Sequence, residues 1–321
     1  MEAPTRTILV TGSHRSGTTW VGKVLATAPR TAYIHEPFNV DRPSDFTTLR
    51  MTHWYQRLNA SPDGHEGQAL EDLVSRRWRS PALRWSDWRN PRALYRTART
   101  SLRRQYAARI ARHIVLKDPL ALLSADWLAT HFAVMPVVMV RHPAAFVASV
   151  LLKGWSFDFQ NFLRQPAVID EFFPEDRSAI VAQTVRGEHD LLGGAALLWR
   201  LLHKVIQRYQ EQHPAWIYLR HEDVSADPAV QFCQLFERLN LPFTARTAGY
   251  LRNTSETADR RYVLKSTSIH NVVRDSRQNI HVWQQRLQPA EITRIRTLVG
   301  ETAEVFYCAG DWNDAPHSAA A

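Results

Sequence analysis

The 321-residue chain is 45% hydrophobic and 10% aromatic, which excludes a disordered chain and leaves room for one large α/β domain or two small ones. Its formal net charge of +9 favours an anionic partner (a nucleotide, a nucleic acid, an acidic glycan or a membrane surface) or reflects an arginine-rich composition alone. Cys233 and Cys308 lack metal-ligand or disulfide spacing, no apolar run approaches the ~20 residues of a bilayer span, and a first strand by residue 7 leaves no room for a signal peptide, so the expected location is cytoplasmic.

Along the chain, strand and helix alternate. An apolar strand over 7–11 runs into Gly12, and a helix with Trp20, Val21, Val24 and Leu25 on one face follows Gly17 to about residue 28. A short strand over 32–35 ends in HEPFN. Residues 41 to about 112 break the alternation with a polar insertion rich in Arg and Trp. An apolar strand over 114–116 then leads into Lys117-Asp118-Pro119 and a helix to about 131. PVVMV at 136–140 is a continuous apolar run, as expected of a strand buried on both faces, and it ends at Arg141-His142-Pro143 before a helix through 152. The clearest helix covers 190–213, where Leu191, Leu198, Leu202, Val205 and Tyr209 keep the helical period. A strand over 216–219 ends in Arg220-His221-Glu222-Asp223. Asp227-Pro228 opens another helix as N-cap and first position, and a late helix covers 289–299.

This order implies parallel βαβ units with ligands at the carboxyl ends of the strands. The expected class is α/β: a P-loop-type three-layer fold with a central parallel sheet, helices on both faces and a helical insertion. We expect one domain over 1–321, an acceptor-side insertion at about 41–112 and a disordered tail after about 312.

The segment ILVTGSHRSGTTWVGKVL has the glycine spacing of a phosphate-binding loop, but Thr18 stands where a nucleotide triphosphatase has lysine, and Arg15 sits inside the loop. A glycine-rich turn opening a helix offers amides and the positive end of the helix dipole to an anion, and Ser16, Thr18 and Thr19 add hydroxyls. The strand over 136–140 ends in the cation Arg141, not in a magnesium-holding Asp. Two anion-binding strand ends in one sheet point to a ligand with two separated anionic groups and no required metal.

HRSGTTW resembles the 5′-phosphosulfate loop of the sulfotransferases, whose donor is 3′-phosphoadenosine 5′-phosphosulfate (PAPS) and whose product is 3′-phosphoadenosine 5′-phosphate (PAP). Arg141 and Ser149 in VRHPAAFVASV resemble that family's 3′-phosphate site. TAYIHEPFN resembles a Glu-Pro segment of the carbohydrate 6-O-sulfotransferases, and YLRHEDVSADP a further family stretch. The stretch RDSRQNIHVWQQRLQPAEITRI, with Trp283, resembles the C-terminal segment that closes over the nucleotide. The arginine in the loop is as in the carbohydrate and tyrosylprotein branches. The sequence departs from the family at His142, where Asp or Asn is usual, and it lacks the C-terminal glycine-rich motif of the cytosolic branch.

The resemblance implies in-line attack of an acceptor hydroxyl on the PAPS sulfur. It implies a donor site of His14, Arg15, Ser16, Gly17, Thr18, Thr19, Trp20, Arg141, Ser149 and one of Arg274 and Arg277, of which we favour Arg277. Arg15 would neutralise the leaving group. Glu36 is the candidate general base. His35 is the neighbouring alternative, though strand alternation should point it to the other face. Lys117 would contact the sulfuryl group, and Asp118 would orient acceptor or base, unless the two form a structural ion pair at a turn.

The insertion should shape the acceptor side. Its arginines, with Trp78, Trp85 and Trp88, suit a glycan or another anionic acceptor bearing a free hydroxyl. RALYRTARTSLRRQYAARIAR also reads as an amphipathic helix on a membrane surface, or as a solvated basic face. Two rival functions stay open. An ATP-dependent P-loop phosphotransferase needs a loop lysine and an acidic magnesium ligand. A non-enzymatic anion-binding protein would use the arginine belt on nucleic acid or lipid, though no nucleic-acid motif is present and no nucleic-acid partner is expected.

Overall fold

The computed structural model describes residues 6–42, 44, 46–59, 63–78, 90–255 and 280–313. Among these, five parallel strands form one sheet: β1 (Arg6–Gly12), β2 (Thr31–His35), β3 (His113–Lys117), β4 (Val134–Val140) and β5 (Ile217–Arg220), in the order β2-β3-β1-β4-β5. Val10 lies opposite Lys117 on one side and Val137 on the other, and His35 lies opposite Lys117. Gly12, His35, Lys117, Val140 and Arg220 therefore end their strands along one edge of the sheet.

Alternate residues of each strand feed two cores. Ile8, Val10, Val115, Val137 and Met139 face α1 (Thr18–Leu25), α11 (Pro228–Arg238) and α12 (Ala245–Ser255). Leu9, Ile114, Leu116, Val138 and Val140 face the other way. There they meet α4 (Ala125–Phe132), α5 (Pro143–Leu151), α9 (Leu191–Gln212) and α14 (Pro289–Val299). Burial on both faces explains why the central strands read as unbroken apolar runs. Gly12 marks a close approach: its φ is 132°, and a Cβ there would stand 2.2 Å from the Met139 carbonyl oxygen.

The insertion is less separate than its composition implies. It contains α2 (His65–Val74) and α3 (Pro91–Ile110), and Leu49, Met51, Tyr55, Leu70 and Leu73 are buried in the larger of the two cores. Between α5 and α9 run the short helices α6 (Gln160–Leu163) and α7 (Pro166–Phe172) and then α8 (Arg177–Arg186). Beyond β5 come α10 (His221–Ala226) and, after α12, α13 (Val282–Arg286), α15 (Glu301–Glu304) and α16 (Gly310–Asn313). At the edge of the expected tail, Trp312 is buried against His142, and Asp311 pairs with Arg220 at 2.5 Å. Trp283 stacks on His142 inside the larger core.

Candidate functional site

Above the carboxyl edge of the sheet lies a cavity of about 750 Å³. Its first wall is the turn between β1 and α1. Three residues with positive φ bend that turn: Gly12 (132°), Arg15 (65°) and Gly17 (91°). Gly17 is also needed for space, since a Cβ would approach His221 Nδ1 to 2.6 Å. The Gly17 carbonyl takes the Trp20 and Val21 amides, the amides of Thr18 and Thr19 precede these first bonds of α1, and Gly17, Thr18 and Thr19 line the cavity.

The two anion sites expected from sequence meet in one wall. Arg15 Nε donates to Ser149 Oγ at 3.0 Å, and Arg141 Nη1 donates to the Arg15 carbonyl at 2.5 Å. The Arg141 carbonyl in turn accepts from Trp199 Nε1 on α9 at 2.8 Å. Arg141 follows β4 directly and Ser149 lies two turns into α5, so the strand-to-helix turn aims both at the β1 loop.

Lys117 and Glu36 form the opposite wall, where their side chains make an ion pair and Lys117 is 2% exposed. Asn39 Nδ2 donates to the other Glu36 oxygen at 2.8 Å. Burial raises the Glu36 pKa, but the Lys117 charge and hydrogen bond, with His35 and Asn39, outweigh it, so the carboxyl sits below its usual range. His35 Nε2 lies 3.7 Å from Glu36, and both residues line the cavity. The alternation expected for this pair is broken because Glu36 leaves the strand at φ 43°. His14 lines the cavity as a neutral ring: burial first, then Arg15, lowers it to about 3. Its Nδ1 meets Tyr55 at 2.7 Å, and its ring packs edge-on against Trp155.

Two expected residues do not reach the cavity. Asp118 is fully buried, and its oxygens accept from the amides of Phe38 (2.6 Å) and Leu120 (2.9 Å). Burial and then the Glu36 charge push it up to about 7, against those two amides. It holds the chain after β2 and β3 and does not line the cavity. The Ser16 side chain is likewise buried and donates back to the Ser13 carbonyl at 2.5 Å. Trp20 serves both readings offered for it: it packs on Phe232 and donates to Thr254, yet one edge lines the cavity. Trp78 is not on the acceptor side, since it donates to the Leu73 carbonyl and packs on Phe46. Arg274, Arg277, Trp85 and Trp88 lie outside the described residues.

Sequence reasoning missed several lining residues. His221 is the residue after β5, so the strand-end rule that found Arg141 could have found it. Lys153 and Trp155 follow α5 as Ser149 ends within it, but no periodicity singles them out. Trp54 and Thr254 reach the cavity only through tertiary packing. Among the described residues, no three His, Cys, Asp or Glu side chains converge as metal ligands would, and no helix is long and apolar enough to cross a membrane.

Comparison with known proteins gives a family match and several likenesses among solved structures. A model of the sulfotransferase family matches residues 7–245. The chain is similar to the sulfotransferase domain of the Synechococcus PCC 7002 olefin synthase, at 14% identity over 96% of this chain and 97% of that one, with a TM-score of 0.49. It is also similar to the sulfotransferase domain from the curacin biosynthetic pathway (14% identity, 92% and 98% covered, TM-score 0.45). A third likeness is to the sulfotransferase STF9 from Mycobacterium avium (16% identity, 95% and 78% covered, TM-score 0.43). A search of curated proteins finds no match.

Proposed function

The chain belongs to the sulfotransferase family, and on that premise we propose that it moves the sulfuryl group of PAPS onto an acceptor hydroxyl by in-line displacement. The observation that carries this reading is the convergence of Arg15, Arg141 and Ser149 on one cavity wall, facing Glu36 and Lys117 on the other. The residues fit a donor with two anionic ends. Besides the two cations there are the opening amides of α1, the Ser149 and Thr19 hydroxyls, and His14 Nε2, a buried ring nitrogen with no hydrogen-bond partner among the described residues.

When bound, the donor supplies the sulfuryl group and its leaving phosphate. Arg15 and the loop amides offset charge on the bridging oxygen from fixed positions. An arginine stays protonated, so Arg15 acts as a clamp and not as an acid. Arg141 and Ser149 hold the remote phosphate. Trp20, His221 and Thr254 border the nucleoside end. Lys117 meets sulfuryl oxygens from its place beside Glu36, and Glu36 accepts the proton of the attacking hydroxyl. Asp118 acts as a positioning residue for the β2 and β3 ends.

The acceptor half of the cavity is walled by Trp54 and Trp155, whose rings lie 5.6 Å apart, and by Pro119 and Leu120. Asn39, Asp41 and Arg42 add polar groups. That mixture suits a small ring-bearing hydroxyl compound, a sugar or another metabolite. Two exposed free cysteines, Cys233 and Cys308, suit a cytoplasmic location.

Titration calorimetry with PAP, against ATP plus magnesium, tests the donor. Wild type should bind PAP at micromolar levels without metal, and Arg141→Ala should bind about 10- to 100-fold more weakly, the cost of a lost charged hydrogen bond. No PAP binding, or tighter ATP binding that needs magnesium, would shift the reading to a phosphotransferase.

A further inference from the structure

Helix α3 is built inside out. Its inward seam is Leu94, Thr97, Ser101, Arg104 and Ala108, spaced three and four apart, with one large aliphatic side chain among them. Arg104 is 7% exposed, with its guanidinium 4.2 Å over the Phe46 ring. The outward stripe holds the apolar bulk: Tyr95 is 65% exposed, Leu102 67%, Tyr106 64% and Ile110 40%. These four fall on one face, seven, four and four residues apart. Arg92, Arg99 and Arg109 are exposed along the same face. The sequence PRALYRTARTSLRRQYAARI has no Asp or Glu at all. A helix stabilised by burial alone would carry the opposite arrangement.

We propose that the outer face of α3 docks on an anionic lipid bilayer, lying in the headgroup plane. Tyr95, Leu102, Tyr106 and Ile110 enter the acyl boundary, and the arginines meet lipid phosphates. An interfacial helix combines these two features, apolar bulk on one face and a cationic flank without acids. The charge argues against the alternative occupants. A second copy of the chain, docked face to face, sets Arg92, Arg99 and Arg109 of each copy against their like. A nucleic acid would meet the arginines but gain nothing from Leu102 and Ile110, which offer neither a hydrogen bond nor a ring face. The site lies outside the cavity: no residue of α3 lines it.

The test is flotation of the full chain with phosphatidylcholine vesicles, with and without phosphatidylglycerol, at two salt concentrations. Anionic vesicles should carry the protein at least about 10-fold better than neutral ones, less so at high salt. Leu102→Ser/Tyr106→Ser should abolish flotation. Arg99→Ser/Arg109→Ser should weaken it about 25-fold, or about fivefold for each charge. Both variants change exposed residues only, and unchanged melting curves check that they fold. Equal flotation with neutral vesicles, or variants that float like wild type, overturns the proposal. A dimer in sedimentation velocity that Leu102→Ser/Tyr106→Ser dissolves, without vesicle binding, overturns it in favour of a second copy. DNA retention that ignores that variant, without vesicle binding, overturns it in favour of a nucleic acid.

Discussion

Glu36 carries a positive φ of 43°, and that one dihedral sets the chemistry of its wall of the cavity. It turns the carboxylate toward Lys117 and leaves His35 beside it instead of across the sheet. Glu36→Gln should lower kcat by about 100-fold or more, the usual weight of a general base, while His35→Asn should cost less than about 10-fold. The reverse order would assign the base to His35. The pH profile separates them independently. A deprotonated base loses activity as pH falls through its pKa. With Glu36 held below the usual carboxylate range, kcat/KM should stay flat as pH falls from neutral through about 6 while the chain remains folded, whereas an imidazole base would bend the profile near about 6.5. Lys117 needs a control of its own, because a buried ammonium stripped of its partner destabilises a fold by about 3–5 kcal/mol. PAP binding retained in Glu36→Gln shows that the kinetic loss is not unfolding.

At the scale of elements, the β1 loop and α1 depend on glycine in two different ways. Gly17→Ala meets both a left-handed backbone and the His221 ring, so we expect a loss of about 1–3 kcal/mol in urea unfolding together with lost PAP binding. Unfolding unchanged from wild type would show that His221 moves aside freely. The elements themselves were legible in the sequence because local chemistry writes them. Apolar runs mark β1, β3 and β4; Asp227-Pro228 marks α11, where the Asp227 side chain does accept from Val230 N; Arg141 and Ser149 carry their spacing openly. What stayed hidden depends on neighbours distant in sequence. Asp118 resembled a free strand-end carboxylate until Phe38, 80 residues away, gave it an amide. Trp54 and Trp155 come together although 101 positions separate Trp54 from Trp155, and no periodicity encodes that meeting. His35 was misdirected because period-two alternation cannot foresee a strand that ends one residue later in a left-handed turn.

Across the whole molecule, burial lowers His14, His142, His203 and His221 each to about 3. The folded chain keeps these rings neutral, while the unfolded chain protonates them near about 6.5. Their contribution is complete above that pH and is lost as pH falls toward 3, at about 1.4 kcal/mol per pH unit each. Asp118, raised to about 7, and Glu222, raised by burial, act in the opposite sense, but four groups against two decide the sign. Against a total stability of about 5–15 kcal/mol that is a large loss, so the melting temperature, followed by tryptophan fluorescence, should fall steadily as pH is lowered from 7 to 5. A melting temperature unchanged over that interval would contradict the count. The strand order has a consequence in time as well. β1 is made before both of its sheet neighbours and is the centre of the sheet, yet its partners begin only at His113 and Val134. The nascent chain thus carries β1 with two open edges while some hundred further residues are made. Arg15 must wait longer still for Ser149, so this wall of the cavity cannot assemble until synthesis has passed β4 and entered α5, and refolding from denaturant should lose yield steeply with protein concentration.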